Sequence, residues 1–198
     1  MFCQSIATAS GYNGSLDGYS LIATLGPSGT SSENTAMFFR QKLHSNPEIK
    51  LFPTYEDAEK FVFLSEGSLI LVANAYKRIN EFYISNRIKP LLSFFFNTPP
   101  YGIATKPGVD LAVISDKRAL RVASHHAPQH LIAQLLPYFR FEVIDAASTG
   151  LAAEMTSQGL VDACHTPKTA CLKQGLQFQS DEVNIQMLWT AFSRNKSQ

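Results

Sequence analysis

The sequence is short of several features, and each shortage excludes a class of protein. Its three cysteines, Cys3, Cys164 and Cys171, are odd in number and lack CxxC spacing, so neither a disulfide framework nor a thiolate metal site is expected. No apolar run approaches the roughly twenty residues needed to span a bilayer. Residues 1–18 lack the basic and apolar stretches of a secretory signal. These shortages predict a cytoplasmic protein that does not enter membranes.

The chain also has almost no excess of positive over negative charge. Lysine and arginine number 17 against 16 acidic residues, which leaves a formal charge of +1, and the basic residues are scattered along the chain. A nucleic-acid partner is therefore not expected, because nucleic-acid binding calls for a basic patch or stripe. With 198 residues, of which 45% are hydrophobic, the chain can bury a sizeable core as one domain or as two small lobes.

What the sequence does contain is a regular alternation of short apolar runs and amphipathic segments, the pattern of strands and crossover helices in an α/β protein. Thr54 and Asp57 form a capping-box-like helix start. Predicted strands are 20–25, 49–52, 68–73, 91–97, 101–106, 121–124, 141–144, 161–165 and 185–192. Predicted helices are 30–43, one from Thr54, one from about Tyr76, one from Pro128 that carries apolar residues as far as Phe139, 149–158, and one that ends at Gly175.

Pro99 and Pro100 interrupt two strand-like segments, and proline cannot donate a ladder hydrogen bond. We therefore place a crossing between two lobes at this break. Lobe 1 is predicted to comprise residues 19–98 and 177–198, and lobe 2 residues 99–176. Residues 1–18 are predicted to be a poorly ordered lead-in.

The loop Gly26-Pro27-Ser28-Gly29-Thr30-Ser31-Ser32 joins a predicted strand to a predicted helix. Free backbone N–H groups and hydroxyls meet there at a helix N-terminus, where the helix dipole favours an anion such as a carboxylate or phosphate. The loop lacks the lysine of a Walker loop and the third glycine of a dinucleotide fingerprint. Spacing alone leaves open an ordinary turn and helix cap.

Histidines cluster at 125, 126 and 130. His126 and His130 stand four apart, as metal ligands on a helix often do, but Pro128 is expected to open the helix after His126, so no metal is predicted. His125 follows a strand end, where α/β folds place ligands, and could position a carboxylate or donate a proton. Other side chains stay ambiguous between a core or solvated position and a role in binding: Tyr76, Tyr83, Tyr101, Trp189, Arg78, Lys106, Lys168 and Arg194.

Several segments, in order, resemble the prephenate dehydratase catalytic domain over roughly residues 20–194. They are 24–32, similar to its Gly-Pro-x-Gly-Thr/Ser-x-Ser motif; Ser124-His125 followed by Pro128; 147–153, similar to its Ser-Thr helix start; and Gly175-Leu176. Two family motifs are missing. The strand with the dehydratase Thr-Arg-Phe motif reads 187–194 without it, and Ala73-Asn74-Ala75-Tyr76 replaces Pro-Ile-Glu-Asn-Ser. The chain also stops before a phenylalanine-sensing domain could begin, so no regulation by phenylalanine is expected.

These departures resemble the prephenate decarboxylases of the bacilysin and aeruginosin pathways, on the basis of 29–33, Ala75-Tyr76, Phe82-Tyr83, Thr98-Pro99 with Tyr101-Gly102, and Trp189 with Phe192. The resemblance implies a two-lobed α/β fold like type II periplasmic binding proteins, with mixed sheets flanked by helices and prephenate held between the lobes. It also implies no cofactor and a place in antibiotic or other secondary-metabolite biosynthesis. A homodimer is possible. Two alternatives stay open: a divergent prephenate or arogenate dehydratase, and a non-catalytic carboxylate-binding module.

The same resemblance suggests roles for individual residues. His125 and Tyr76 are the candidate proton donors, and Trp189 with Phe192 is expected to surround the departing carboxylate. Thr30, Ser31 and Ser32 are expected to anchor the pyruvyl carboxylate, aided by Lys106 or Arg194. The remaining candidate substrate-binding residues are Gly29, Asn74, Thr98, Tyr101, Ser124 and Thr149.

Overall fold

Two mixed β-sheets with flanking helices organise the chain, which confirms the predicted α/β fold. The computed structural model describes residues 6–8 and 16–195. Its strands are β1 (Ile6–Thr8), β2 (Leu21–Leu25), β3 (Glu48–Phe52), β4 (Ser68–Ala73), β5 (Ile88–Asn97), β6 (Tyr101–Thr105), β7 (Leu120–Ser124), β8 (Phe141–Asp145), β9 (Ala163–Pro167), β10 (Gln177–Phe178) and β11 (Gln186–Arg194). Its α-helices are α1 (Ser31–Arg40), α2 (Tyr55–Leu64), α3 (Ile79–Tyr83), α4 (Leu111–Ser115), α5 (Ile132–Leu135), α6 (Thr149–Ser157) and α7 (Lys168–Lys173). Short 3-10 turns cover Leu16–Gly18 and Gln129–Leu131.

The chain divides into two compact units. Of the described residues, the first unit comprises 6–8, 16–27, 31–98 and 186–195, and the second comprises 28–30 and 99–185. The first contains the sheet β1-β5-β11-β4-β2-β3, and the second contains the sheet β10-β6-β9-β7-β8. In each sheet three neighbouring strands run parallel, β3-β2-β4 and β8-β7-β9. Each sheet therefore has one edge at which the carboxyl ends of parallel strands meet.

Alternating side chains divide the first sheet between two cores. Leu69 and Leu71 face a cluster with Phe39 of α1, whereas Ile70 and Val72 face a cluster on the side of α2 and α3. The alternation follows from the two-residue period of a strand. Helix α2 begins as predicted, because Thr54 accepts a hydrogen bond from the Asp57 backbone N–H at 3.1 Å and its hydroxyl donates to the Asp57 carboxylate at 2.8 Å.

The second predicted lobe boundary differs from the structure. One division falls between Thr98 and Pro99, but residues 177–185 stay with the second unit. Strand β10 pairs with β6, the Ile103 backbone N–H donates to Ser180 Oγ at 2.9 Å, and Tyr101 forms a bridge with Val183. These bonds keep the segment beside β6 until β11 begins.

Local geometry also departs from prediction in two places. The helix predicted to continue from Pro128 as far as Phe139 is one 3-10 turn followed by α5, because Leu136 precedes Pro137 and takes φ −126° and ψ 55°, outside the helical region. Most of the predicted poorly ordered segment 1–18 lies outside the described residues. Within it, Ile6–Thr8 pairs with β5, a strand that the sequence pattern does not predict.

Candidate active site

Helices α1 and α2 begin at the carboxyl edge of the first sheet, one after β2 and the other after β3. Ser32, in the first turn of α1, shares a hydrogen bond of 3.0 Å with the phenol of Tyr55, which opens α2. The same phenol accepts a hydrogen bond from the Ala73 backbone N–H at 3.3 Å, at the end of β4. Ser31, Ser32 and Tyr55 are all buried. Tyr55 therefore fixes the first turns of two helices against the strand that carries Asn74.

Four polar side chains near the end of β4 form a connected network. The Asn74 amide nitrogen donates to the Tyr83 phenol at 3.0 Å, and Thr190 Oγ1 donates to the Asn74 amide oxygen at 2.8 Å. Thr190 Oγ1 also lies 2.7 Å from the Tyr83 phenol and 2.8 Å from Ser93 Oγ. Thr190 is completely buried, whereas Tyr83 is 41% exposed. The network thus leads from the sheet interior to the surface.

Tyr76 lies close to this network but is bound to a carboxylate. Its phenol donates to Glu56 Oε1 at 2.6 Å, and Arg78 pairs with the same oxygen at 2.8 Å and with Glu81. Burial, followed by the Glu56 carboxylate, raises the pKa of Tyr76 to about 12. Arg78, one of the candidate carboxylate partners, is thus already paired. The structure therefore disfavours Tyr76 as an acid at neutral pH.

The carboxyl edge of the second sheet carries Ser124, His125 and Thr149. Ser124 ends β7 and is completely buried, with its hydroxyl donating to the His125 carbonyl at 3.0 Å. The Ala127 backbone N–H donates to His125 Nδ1 at 3.4 Å. Nδ1 is therefore an acceptor, so the neutral ring carries its proton on Nε2. Thr149 opens α6 after the cap residue Ser148, and its carbonyl accepts from Thr166 Oγ1 at 2.8 Å.

Gly29 and Thr30 of the predicted anion loop pack with this second unit. The Gly29 carbonyl accepts a hydrogen bond of 2.8 Å from Thr169 Oγ1. Gly29 has φ +96°, and a Cβ there would lie 3.4 Å from the Ala170 Cα and 3.3 Å from the Lys173 side chain. Glycine is required because its backbone is left-handed and closely approached. Thr30 is buried.

Three more predicted site residues are buried or paired. Thr98 is buried where the first unit's segment 31–98 ends. Tyr101 is buried at the start of β6 with its ring 5.3 Å from that of His165. Lys168, which opens α7, pairs with Glu182 at 2.5 Å. Thr98 and Tyr101 therefore lie near the carboxyl edges of the first and second sheets, respectively.

Two predicted carboxylate partners lie at the opposite edges of their sheets. Arg194 ends β11, with its guanidinium 3.9 Å from Glu66 and over the ring of Phe63. It lines a cavity of about 380 Å³ with Gly67 and Ser68, where β4 begins. Lys106 follows the end of β6, and a Cβ at Gly159 would lie 3.0 Å from its Nζ, just beyond the C-terminus of α6. The structure does not bring these cations together with the predicted anchoring residues.

Trp189 faces a core and not Phe192. Its side chain is 1% exposed in the cluster with Ile22, Phe39 and Phe94, whereas Phe192 packs in the cluster on the other face of the sheet. A β-bulge between Ala191 and Phe192 accompanies this arrangement. The expected shared pocket of Trp189 and Phe192 is therefore wrong. Among the described residues, Trp189 Nε1 has no hydrogen-bond partner.

His165 is a residue that the sequence reasoning missed. It lies on β9, is completely buried, and neither ring nitrogen has a hydrogen-bond partner within residues 6–8 and 16–195. Burial, and then the nearby His130, lowers the pKa of His165 to about 4, so the ring is neutral at pH 7. The sequence signal was a histidine that directly follows the apolar pair Ala163-Cys164 in a predicted strand.

Tyr55, Glu56, Ser93 and Thr190 were also missed. Ser93 and Thr190 interrupt apolar runs on two strands, which is a usable signal, but no pattern indicates that they meet. In the described part of the chain, no three histidine, cysteine or carboxylate side chains are grouped so as to hold a metal ion. No described helix combines the length and apolar character needed to cross a membrane.

The fold is similar to two solved structures. One is a prephenate dehydratase from Arthrobacter aurescens in complex with L-Phe, with a TM-score of 0.66 and 15% identity, matched over 89% of this chain and 61% of that one. The other is a periplasmic transporter, with a TM-score of 0.58 and 9% identity over 90% of this chain and 77% of that one. These similarities, together with polar side chains at the carboxyl edges of both sheets, define an α/β protein of the prephenate dehydratase fold.

Sequence relatives narrow this class. The chain is 32% identical to a prephenate decarboxylase of Bacillus subtilis over 184 residues, 88% of this chain and 87% of that protein. It is 29% identical to a prephenate decarboxylase of Planktothrix agardhii (strain NIVA-CYA 126/8) over 181 residues, 88% of each. The chain belongs to the prephenate decarboxylase family. No family model matches it.

Proposed function

We propose that this protein decarboxylates prephenate without forming an aromatic ring. The observation that carries the proposal is the 32% identity to a prephenate decarboxylase along nearly the whole chain. The proposed enzyme is a carbon–carbon lyase that needs no cofactor. We place it in the cytoplasm and in secondary metabolism, where a non-aromatic product would lead to a non-proteinogenic amino acid for antibiotic biosynthesis.

The chemistry sets a clear requirement on the site. The bond between the ring and its carboxylate breaks, carbon dioxide leaves, and the electron pair enters the neighbouring ring double bond, whose far carbon takes a proton. If an acid protonated the ring hydroxyl instead, water would leave with the carboxylate and the ring would become aromatic. A decarboxylase must therefore supply a proton to carbon while withholding one from the hydroxyl.

Two features of the first unit support the withholding of a proton from the ring hydroxyl. The Tyr76 proton is directed at Glu56, and the raised pKa of that phenol opposes its release. Asn74 presents an amide, which donates a hydrogen bond but does not act as an acid. In the second unit we assign proton donation to carbon to His125 in its protonated, imidazolium form. The Ala127 backbone N–H faces Nδ1, so Nε2 is the nitrogen assigned to the transfer.

We assign substrate binding to hydroxyl and amide groups near the carboxyl edges. In the first unit these are Ser31 and Ser32, in the first turn of α1 where the helix dipole favours an anion, with Asn74 and Thr98. In the second unit they are Gly29, Thr30, Tyr101, Ser124 and Thr149. Lys106 and Arg194 are left out because they lie at the other edges of the sheets.

Incubating the purified protein with prephenate in heavy water tests the proposal. The expected product is a dihydro-hydroxyphenylpyruvate that keeps the ring hydroxyl and carries one deuteron on one former alkene carbon, on a single face. Carbon dioxide release and proton NMR measure these features, and prephenate without protein provides the spontaneous background.

The other outcomes separate the alternatives. Phenylpyruvate formed faster than the background would identify a dehydratase and overturn the proposal. Saturable binding of prephenate with no consumption would identify a carboxylate-binding module.

A further inference from the structure

Three of the four side chains in the network near the end of β4 form a closed ring of hydrogen bonds. The ring runs from the Asn74 amide nitrogen to the Tyr83 phenol, from that phenol to Thr190 Oγ1, and from Thr190 Oγ1 back to the Asn74 amide oxygen. Its three distances are 3.0, 2.7 and 2.8 Å. Ser93 touches the ring only at Thr190. Thr190 is thus the one member that contacts all the others.

The protons in this ring can be assigned from the number of donors that each group has. Thr190 has one hydroxyl proton, which it donates to the Asn74 oxygen. Tyr83 and Ser93 must therefore donate to Thr190, and Tyr83 in turn accepts from Asn74. The hydroxyl protons of Thr190, Tyr83 and Ser93 are all used within the network. One N–H of the Asn74 amide is used in the ring, and the amide carries a second N–H that can donate.

We propose that Thr190 is a positioning residue, which orients the Asn74 amide through the closed ring so that its remaining N–H binds an oxygen of the substrate. Asn74 follows the end of β4, at the sheet edge where α/β folds bind ligands, and it is partly exposed there. Thr190 itself is completely buried and cannot touch a ligand. The inference rests on the proposed decarboxylase function and names the group that would hold the substrate oxygen.

The ring also governs which protons the substrate can receive. Tyr83 is 41% exposed and would lie within reach of a ligand, but its hydroxyl proton points to Thr190. The outward donor is then an amide N–H, which holds an oxygen without protonating it. This arrangement meets the need of a non-aromatising enzyme to bind a hydroxyl or carboxylate oxygen while keeping acids from it.

A double-mutant cycle tests whether Thr190 acts through Asn74. Thr190→Val keeps the shape and removes the hydroxyl, and the KM for prephenate should rise about tenfold with a smaller change in kcat. Asn74→Asp keeps the shape and removes the N–H donor, so kcat/KM should fall about a hundredfold. The kcat/KM of the double variant should be no lower than that of Asn74→Asp alone. Without the Asn74 N–H there is no donor left for Thr190 to orient. Thr190→Ser restores the hydroxyl and should recover most of the affinity.

Thr24→Val is the matched control. Thr24 is likewise a completely buried threonine in the first sheet, and its hydroxyl donates to the Leu71 carbonyl at 2.8 Å. It should lower the melting temperature about as much as Thr190→Val while leaving KM unchanged. Additive effects of Thr190→Val and Asn74→Asp, or an unchanged KM in Thr190→Val, would overturn the inference while leaving an active wild-type enzyme. If the wild-type protein does not consume prephenate, the proposed function and the inference fall together.

Discussion

The two units treat buried polar side chains in different ways. In the first unit, hydroxyls and amides near the carboxyl edge are paired with one another, and Thr190 alone contacts three other side chains. In the second unit, His165 stands in the middle of the sheet with neither nitrogen paired among the described residues. A network of paired groups fixes the orientation of its hydroxyl and amide groups. A buried imidazole without hydrogen bonds instead lowers the stability of the fold.

The first unit has an unpaired nitrogen of its own, in Trp189, and the contrast with His165 is instructive. The indole N–H does not titrate, so its cost is the same at every pH. The imidazole can take up a proton, so its cost depends on pH. Substitutions at these two positions therefore separate the effect of burial from that of titration.

The largest expected effect is at Trp189. Trp189→Ala should reduce the free energy of unfolding by about 3–5 kcal/mol, because it removes a large side chain packed against Phe39 and Phe94. Trp189→Phe keeps most of the packing and also removes the unpaired N–H, so it should cost less than ~2 kcal/mol. Denaturant unfolding measures both. A Trp189→Phe protein that is as unstable as Trp189→Ala would show that the indole nitrogen does have a partner.

A smaller, pH-dependent effect is expected at His165. In the unfolded chain its pKa returns to about 6.5, whereas in the folded chain burial holds the pKa near 4. Below pH 6.5 the unfolded state therefore binds the proton first, and stability falls as the pH drops from 6.5 to 4. The loss is at most ~3.5 kcal/mol, since each pKa unit corresponds to about 1.4 kcal/mol.

His165→Leu should remove this part of the pH dependence. The difference in unfolding free energy between variant and wild type should change between pH 7 and pH 4.5 in favour of the variant. Carboxylates with lowered pKa, such as Asp57 and Asp162, also lose stabilising contacts in acid, but they do so in both proteins. A constant difference across this range would mean that His165 is solvated or paired in the folded state.

Much of the fold follows from the sequence because strand and helix periods depend on near neighbours. The loop at 26–32, the capping of α2 by Thr54 and the run of alternating elements are local features, and the structure has them. One helix bound is wrong because a local constraint was overlooked. Pro137 ends the helix that the apolar period alone would carry to Phe139.

The candidate site was less predictable because its contacts join residues far apart in the chain. Asn74 and Thr190 are 116 positions apart, and Ser93 and Thr190 are 97 apart. Periodicity assigns each residue to a face of its strand but does not say which strands are neighbours. Lys106 and Arg194 were predicted to bind a carboxylate because of their charge. Their strands end at the edge of the sheet opposite to the carboxyl ends of the parallel strands, which their charge alone does not reveal.

The smallest expected effect concerns that other edge of each sheet and sharpens the comparison between the units. Arg194→Gln in the first unit and Lys106→Gln in the second each remove a cation from a protein that would bind a dianion. If charge alone governed binding, both changes would weaken it. Arg194 lies near Glu66, and Lys106 lies just beyond the C-terminus of α6. We therefore expect the KM for prephenate to stay within about twofold of wild type at 0.15 M salt, where charges are screened over roughly 8 Å. Stability should change by less than ~1 kcal/mol, as for most exposed ion pairs. Steady-state kinetics at two salt concentrations measure the expected KM, and thermal unfolding measures the expected stability.

A rise in KM confined to Lys106→Gln would place the anion site of the second unit at the C-terminal end of α6, against the dipole of that helix. It would overturn the assignment of Ser124 and Thr149 to substrate binding.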